Sequence, residues 1–234
     1  MLYWWPLVRD LEGITIPKTT VVRLTDEEYS DIWEDNDEDS IGRYIASDSI
    51  VERVAHSVNG FSLPVFIRDD FTSAKHLFDR TCYLTDLDYL QEHLSRLIRA
   101  KSFEEEIRKT RAFFVREFIP LRSPFKIFVG LPVSKERRYY AADGEVLCHH
   151  PYWTPDAVRE SVEVMDTPLP IGWDNHLTII NHEIPKEIAH LTEKASLLSR
   201  CLRGTWALDF AYSDDDIWYF IDASPAGTVY HMEH

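Results

Sequence analysis

The chain is poor in the features that would place it outside the ordinary globular class. Its 234 residues include only three cysteines, Cys82, Cys148 and Cys201. They lie far apart and are odd in number, so they form neither a disulfide framework nor a CxxC metal knuckle, and reduced cytosolic thiols are expected. No apolar run approaches the length of a membrane span. The N-terminal MLYWWPLVRDLEG has no basic leader and no small-residue cleavage site, so it does not read as a secretory signal. Positive charge is also scarce: 25 Lys and Arg against 40 Asp and Glu give a net charge of −15, which argues against a large nucleic-acid footprint. There is no internal repeat, no low-complexity tract and no GxxxxGK[ST] phosphate loop.

What is present is 44% hydrophobic and 28% charged, enough for a substantial core in one large domain or two lobes. The acid is concentrated. Asp26 to Asp48 holds ten carboxylates against Arg43 alone. That block reads either as a solvated loop or helix face, or as a docking surface for a basic partner.

A short amphipathic helix is expected near Tyr3–Leu11, ended by Gly13, and ITIPKTTVV reads as a strand with Pro17 near its start. A helix over Ser49–Val58, closed by Asn59-Gly60, precedes a strand at Leu63–Asp69. Asp86–Thr110 is helical by period, and RAFFVREFIPL is a strand broken at Pro120. FKIFVGLPV and ERRYYAA read as two more strands, the second turning at Asp143-Gly144 into EVLCHH. Pro155–Met165 suggests a short helix. Ile184, Ile188, Leu191, Ala195, Leu198 and Leu202 form one apolar stripe along a helix over Pro185–Leu202. Helices and strands mix without regular βαβ alternation, which favours α+β lobes.

The stretch WALDFAYSDDDIWYFIDASPAG reads as a hairpin with an aspartate inside each apolar strand, Asp209 and Asp222. A buried carboxylate needs a cation beside it. If Ser213–Asp216 is a four-residue loop, Ala207 stands opposite Asp222, and Asp209 lies diagonally from Asp222 on the same face. Ser224 continues that face. Hard oxygens of this kind suit Mg²⁺, although a one-residue slip would part the two carboxylates and either could simply face solvent. Arg68 ends an apolar strand before DDFTSAKH, a small-residue turn carrying Lys75 that could meet an anion through backbone N–H groups and a point charge. Glu117 follows an apolar strand just before Pro120. Glu136 and Arg138 share one strand face by the period of two, with Arg137 on the other.

His149-His150-Pro151-Tyr152-Trp153 reads as a strand-end turn with packed aromatics, or as the lining of an acceptor pocket. His231 and His234 have helical metal spacing at a terminus prone to fraying. Cys148 beside the His pair lacks a fourth ligand at zinc spacing.

In this order, the segments resemble the ATP-grasp superfamily from about Gly13 onward. GITIPKTTVV is similar to the strand opening the first lobe, LPVFIR to its G-x-P-V-V-V-K strand, and FVREFIPL to the strand and hinge that hold adenine. ERRYYAADGEV resembles the E-x-R-x-F-V-x-D-G-K-V strand pair, and LDFAYSDDDIWYFIDASPAG the closing D-x-x…E-x-N metal motif. The kinship looks nearest to the divergent branch containing the eukaryotic cell-division-cycle chaperones for translation-initiation-factor assembly and related phage and bacterial proteins.

The resemblance implies an α+β ATP-grasp fold of two lobes with mainly antiparallel sheets and ATP between them. A remnant N-terminal helix (1–12) would precede a first lobe (13–110) and a second lobe (111–234). Arg68 and Lys75 would contact ATP phosphates, Glu117 and Phe118 the adenosine, and Arg138 the γ-phosphate with Glu136 beside it. Asp209, Asp222 and Ser224 would hold Mg²⁺. Arg138 and Lys75 would be the catalytic pair of a cytoplasmic Mg·ATP-dependent carboxylate–amine ligase working through an acyl phosphate on a small-molecule, peptide or protein substrate. The other activity implied is an ATP-binding chaperone or assembly factor that docks a basic partner on the 26–48 segment without ligation. The chain departs from the pattern at Arg68, where Lys is common, in a phosphate loop without glycine, and in Asp-Ala-Ser for Glu-x-Asn. The separate N-terminal domain usual in the superfamily is expected to be missing or supplied elsewhere.

Overall fold

The structure is a computed structural model and describes residues 1–34, 38–72, 74–100, 109–165 and 168–228. His231 and His234, Ser73 and the stretch 101–108 of the expected long helix lie outside the described residues. The chain divides into two compact units: Met1–Pro17 with Ile119–Ile127 and Pro132–His234, and Lys18–Phe118 with Phe128–Leu131. The boundaries expected from sequence differ from these.

In the Lys18–Phe118 unit, strands β1 (Thr19–Arg23), β2 (Val65–Asp69), β3 (Tyr83–Leu84) and β4 (Ala112–Glu117) form an antiparallel sheet in the order β1-β4-β2-β3. β4 lies between β1 and β2 with its residues 112–115 fully buried, so residues 111–118 belong here rather than to a second lobe starting at 111. The expected ITIPKTTVV strand splits at Pro17-Lys18. Thr15 accepts a bond from the Phe220 N–H in the other unit's own sheet, whereas Thr19–Arg23 pairs with β4.

Helix α2 (Asp26–Trp33) begins with a reciprocal cap. The Thr25 hydroxyl accepts from the Glu28 N–H at 3.1 Å and the Glu28 carboxylate accepts from the Thr25 N–H at 2.8 Å. Three acids in its first turn complement the helix dipole, so part of the acidic block is explained by helix initiation. A turn of helix, α3 (Glu38–Ile41), leads to α4 (Asp48–Val58), which buries Ile50, Val54 and Val58 at four-residue spacing. Helix α5 (Phe78–Thr81) precedes α6 (Leu90–Arg99), which buries Leu90, Leu94, Leu97 and Ile98 in the same core as Ile67, Phe113 and Val115.

In the other unit, β7 (Glu136–Ala142), β8 (Glu145–Pro151), β9 (Trp206–Tyr212) and β10 (Trp218–Pro225) form an antiparallel sheet in the order β10-β9-β7-β8. The N-terminal helix α1 (Trp5–Val8) belongs to this unit, and the adjoining Trp4 is fully buried edge-on against Phe220, with ring centroids 5.2 Å apart. FKIFVGLPV is not one strand. It breaks into β5 (Phe125–Ile127) and β6 (Leu131–Val133), because Phe128 and Gly130 take φ of +47° and +85°. Helix α7 (Pro155–Met165) lies where expected, and α8 (Trp173–Asn181) was not foreseen. Helix α9 (Pro185–Ser199) packs along β7 and β8, burying Leu191, Ala195 and Leu198. Ile184, counted in its stripe, instead stands outside the first turn and is 45% exposed. Among the described residues no helix is long and apolar enough to cross a membrane.

Candidate functional site

The β8-β7-β9-β10 sheet aligns four polar side chains in one cross-strand row. Arg138 on β7 pairs with His150 on one side and Asp209 on the other, and Asp209 pairs with Asp222. Partners directly opposite share a face, so these four residues project together. The guanidinium of Arg138 forks onto Asp209, Nε to Oδ1 and Nη2 to Oδ2, each at 2.7 Å. Both residues are largely buried, at 9% and 7% exposure, so the pair is a shielded one. Burial alone would lower the Arg138 pKa, but the Asp209 carboxylate more than reverses this and holds it above its ordinary value. Arg138 also lies over the Tyr152 ring, 4.7 Å from its centroid. The cation beside Asp209 is thus Arg138.

The expected hairpin register requires correction. The connection runs from Ser213 to Ile217, one residue longer than expected, and Ile221 bulges between the Phe220–Phe210 and Asp222–Asp209 pairs. Ala207 therefore faces Ser224 rather than Asp222, and Asp209 stands directly across from Asp222 rather than diagonally. Asp222 is half-buried, and its Oδ1 accepts from the Ala223 N–H at 2.9 Å. Ser224, two residues on, shares its face.

Glu136 sits two residues from Arg138 on the same face. Its Oε1 accepts from the Ser134 hydroxyl at 2.5 Å and from the Trp153 indole at 3.0 Å. Arg137 points the other way, as its period requires. Fully buried, it donates to the carbonyls of Ile180 and His182 at the end of α8, and its Nε lies 2.8 Å from Glu187 Oε1. Arg137 therefore fastens α8 and α9 to the sheet. The adjacent histidines divide likewise. His150 joins the Arg138 row, while His149 stacks on Tyr139 and meets Glu183 at 3.1 Å on the opposite face. The sequence did not single out Tyr152 as the platform under Arg138.

In the Lys18–Phe118 unit, Arg68 at the end of β2 is buried, and it donates to the carbonyls of Asp69 and Phe71 at 3.2 Å each. Asp69 Oδ1 accepts from the N–H groups of Phe71 and Thr72, its Oδ2 accepts from the Thr110 hydroxyl, and the Thr72 hydroxyl accepts from the Ala74 N–H. The N–H groups at 71, 72 and 74 are therefore engaged within the turn, contrary to the expectation that they would receive an anion. Lys75 opens the 3-10 turn Lys75–Leu77. At the end of β4, Glu117 Oε1 accepts from the Lys18 N–H at 2.6 Å, and Phe118 packs on Tyr83 at 4.8 Å between centroids.

Among the described residues, no three His, Cys, Asp or Glu side chains gather as a ready metal site. The pair Asp209 and Asp222 with Ser224 nevertheless offers hard oxygens on one face. Each carboxylate oxygen of Asp209 keeps a second lone pair beyond its Arg138 bond. That donor set suits an ion such as Mg²⁺, which completes its shell with water and phosphate oxygens.

The fold is similar to that of C-terminally truncated Cdc123 from Schizosaccharomyces pombe, with a TM-score of 0.56 and 12% identity over 95% of this chain and 81% of that one. D-alanyl-alanine synthetase A from Vibrio cholerae gives a TM-score of 0.45 at 12% identity over 95% of this chain and 53% of that one. The ATP-grasp ligase PsnB gives 0.42 at 13% identity over 95% of this chain and 50% of that one. The chain thus spans about half the length of the latter two proteins. No curated protein matches the sequence. The profile of an ATP-grasp domain, the third family of its clade, matches residues 57–229, well over half of the chain, and the chain belongs to that ATP-grasp family.

Proposed function

We propose that the chain binds Mg·ATP and uses it to join a carboxylate to an amine. The observation that carries this reading is the Arg138–Asp209–Asp222 row on one face of a sheet in an ATP-grasp fold. In the proposed reaction a substrate carboxylate oxygen attacks the γ-phosphorus of ATP, giving an acyl phosphate and ADP. The amine nitrogen then attacks the acyl carbon, phosphate leaves, and the nitrogen gives up its proton. Such chemistry depends on alignment and charge neutralisation more than on a protein base.

Arg138 would meet the γ-phosphate, its orientation fixed by the Asp209 fork and the Tyr152 ring. Asp209, Asp222 and Ser224 would hold Mg²⁺, which supplies charge neutralisation to the phosphates when bound. Glu136 is held by Ser134 and Trp153, so it would line the site rather than move a proton. Lys75 would supply a point charge to the phosphates, and buried Arg68 would shape the turn that presents it. The end of β4, with Glu117 and Phe118, would face the adenosine. The carboxylate and the amine would belong to small molecules, peptides or proteins, and each class is a candidate for the assay below.

The test is thermal unfolding with Mg·ATP, followed by ADP release in the presence of candidate carboxylates and amines. Ligand at a hundred times its Kd should stabilise the fold by about 2.7 kcal/mol. Asp222→Asn should lose that shift. The absence of any shift for the wild-type protein would overturn the proposal. Binding without ADP release for any acceptor would instead support an ATP-locked assembly factor.

A further inference from the structure

The segment between β5 and β6 leaves the Ile119–Ile127 stretch of its own unit and is grouped with the other one, at Phe128–Leu131. It lies against the 3-10 turn that carries Lys75. The Val129 N–H donates to the His76 carbonyl at 3.1 Å, and the Val129 carbonyl accepts from the Asp79 N–H at 3.0 Å. These two bonds bracket the turn as a single pair of strand residues would. Phe128 stacks on His76, with centroids 4.3 Å apart and planes at 24°.

The backbone of this segment is set for that purpose. Phe128 has φ +47°, a region that a bulky residue occupies only where its surroundings fix it. Gly130 has φ +85°, and a β-carbon there would stand 2.1–2.3 Å from the Asp79 carboxylate. From the other side, the Thr81 hydroxyl reaches the carbonyls of Ala74 at 3.0 Å and Leu77 at 2.9 Å, and Ala74 itself is left-handed at φ +47°. Lys75 therefore sits on a turn held by Thr81 within and by Val129 without. The glycine-free sequence of the preceding loop fits this arrangement, since the turn is fixed by its neighbours rather than left to close on its ligand.

We infer that Phe128–Leu131 is a strap whose contacts with His76 and Asp79 position Lys75, making Val129, Phe128 and Gly130 positioning residues for phosphate binding. This rests on the reading of Lys75 as a phosphate contact. Lys75 touches the ligand, and the strap acts only through it.

The test is a double-mutant cycle on nucleotide affinity, read by calorimetry with Mg·ATP and with adenosine. Gly130→Ala and, separately, His76→Ala should each weaken Mg·ATP by about tenfold while leaving adenosine within about twofold, because adenosine has no phosphate for Lys75. In a Lys75→Ala background the same substitutions should cost less than about twofold further. Equal losses for ATP and adenosine, equal losses with and without Lys75, or no loss in either strap variant would each overturn the inference. His76 is exposed, so His76→Ala keeps the test open if Gly130→Ala fails to fold. Failure of the wild-type protein to bind Mg·ATP would sink the functional reading itself, a result distinct from all of these.

Discussion

Asp222 stands opposite Asp209 because Ile221 is extruded from the ladder between them and the Phe220–Phe210 pair. In an unbroken ladder, Phe220 opposite Phe210 would place Ile221 against Asp209 and Asp222 against Leu208, on the face that Phe210 and Arg137 share. The bulge moves the second carboxylate across the sheet.

Deleting Ile221 should therefore be tolerated. Phe220–Phe210 and Asp222–Asp209 become consecutive pairs of a regular ladder, and Asp222 keeps its face. The thermal shift produced by Mg·ATP should persist, with affinity within about threefold of wild type. A folded deletion variant showing no shift would contradict this register.

Breaking the fork should cost stability as well as function. Arg138→Met leaves the Asp209 carboxylate buried without its partner, and urea unfolding should show a loss of about 3–5 kcal/mol. Arg138→Lys recovers only part of it, since an ammonium cannot fork onto both oxygens. Arg138→Met with Asp209→Leu should regain most of the stability but not nucleotide binding. If that double variant were as unstable as Arg138→Met, the shielded pair would not be the reason.

Glu28 sets an acid limit on the fold. Burial alone would raise its pKa, but the Arg53 guanidinium, the Thr25 N–H and the Ser49 hydroxyl together hold it below the usual 4.5. The folded protein thus binds that proton less readily than the unfolded chain does. The stabilisation is full above about pH 4.5 and disappears as pH falls through the lower folded value. The Tm gap between wild type and Glu28→Gln should be largest near neutrality and close in acid. A gap that stays constant from pH 7 to about pH 3 would refute the linkage.

The cysteines should separate by reactivity. Cys82 is fully buried, which pushes its thiol up to about 12, whereas Cys148 and Cys201 are half-buried. At pH 8, a thiol reagent should leave Cys82 unmodified in the folded protein and label it only after denaturant is added. Peptide mapping that finds Cys82 labelled alongside the others under native conditions would refute this.

Much of this arrangement could be read from local pattern. The apolar spacing of α9, the Asp143-Gly144 turn and the alternation that separates Arg137 from Arg138 all depend on neighbours in sequence. What could not be read is what non-neighbours decide. β7 pairs with β9 across the long excursion through α7, α8 and α9, so nothing near Asp209 names Arg138 as its partner. The bulge at Ile221 falls in a run, FIDAS, with no glycine or proline to mark it. Helix α8 buries only Leu177 and Ile180 among its apolar residues, too sparse a stripe to signal a helix; its usable mark was Gly172 at φ +77° with Asp174 in the first turn. The split at Pro17 also escaped notice, because residues on both sides of it favour extended backbone and only their partners differ.

The meeting of Lys18 and Glu117 has a consequence for how such a protein can arise. Each backbone bonds the other, with the Glu117 carboxylate closing over the Lys18 N–H, so the polypeptide enters and leaves the Lys18–Phe118 unit side by side. A segment whose two ends already touch can be spliced into a host chain at a single point with little entropic penalty, and it can be removed as readily. The α4–α6 layer and its sheet thus have the form of a transferable cassette, fastened by one carboxylate at its doorway.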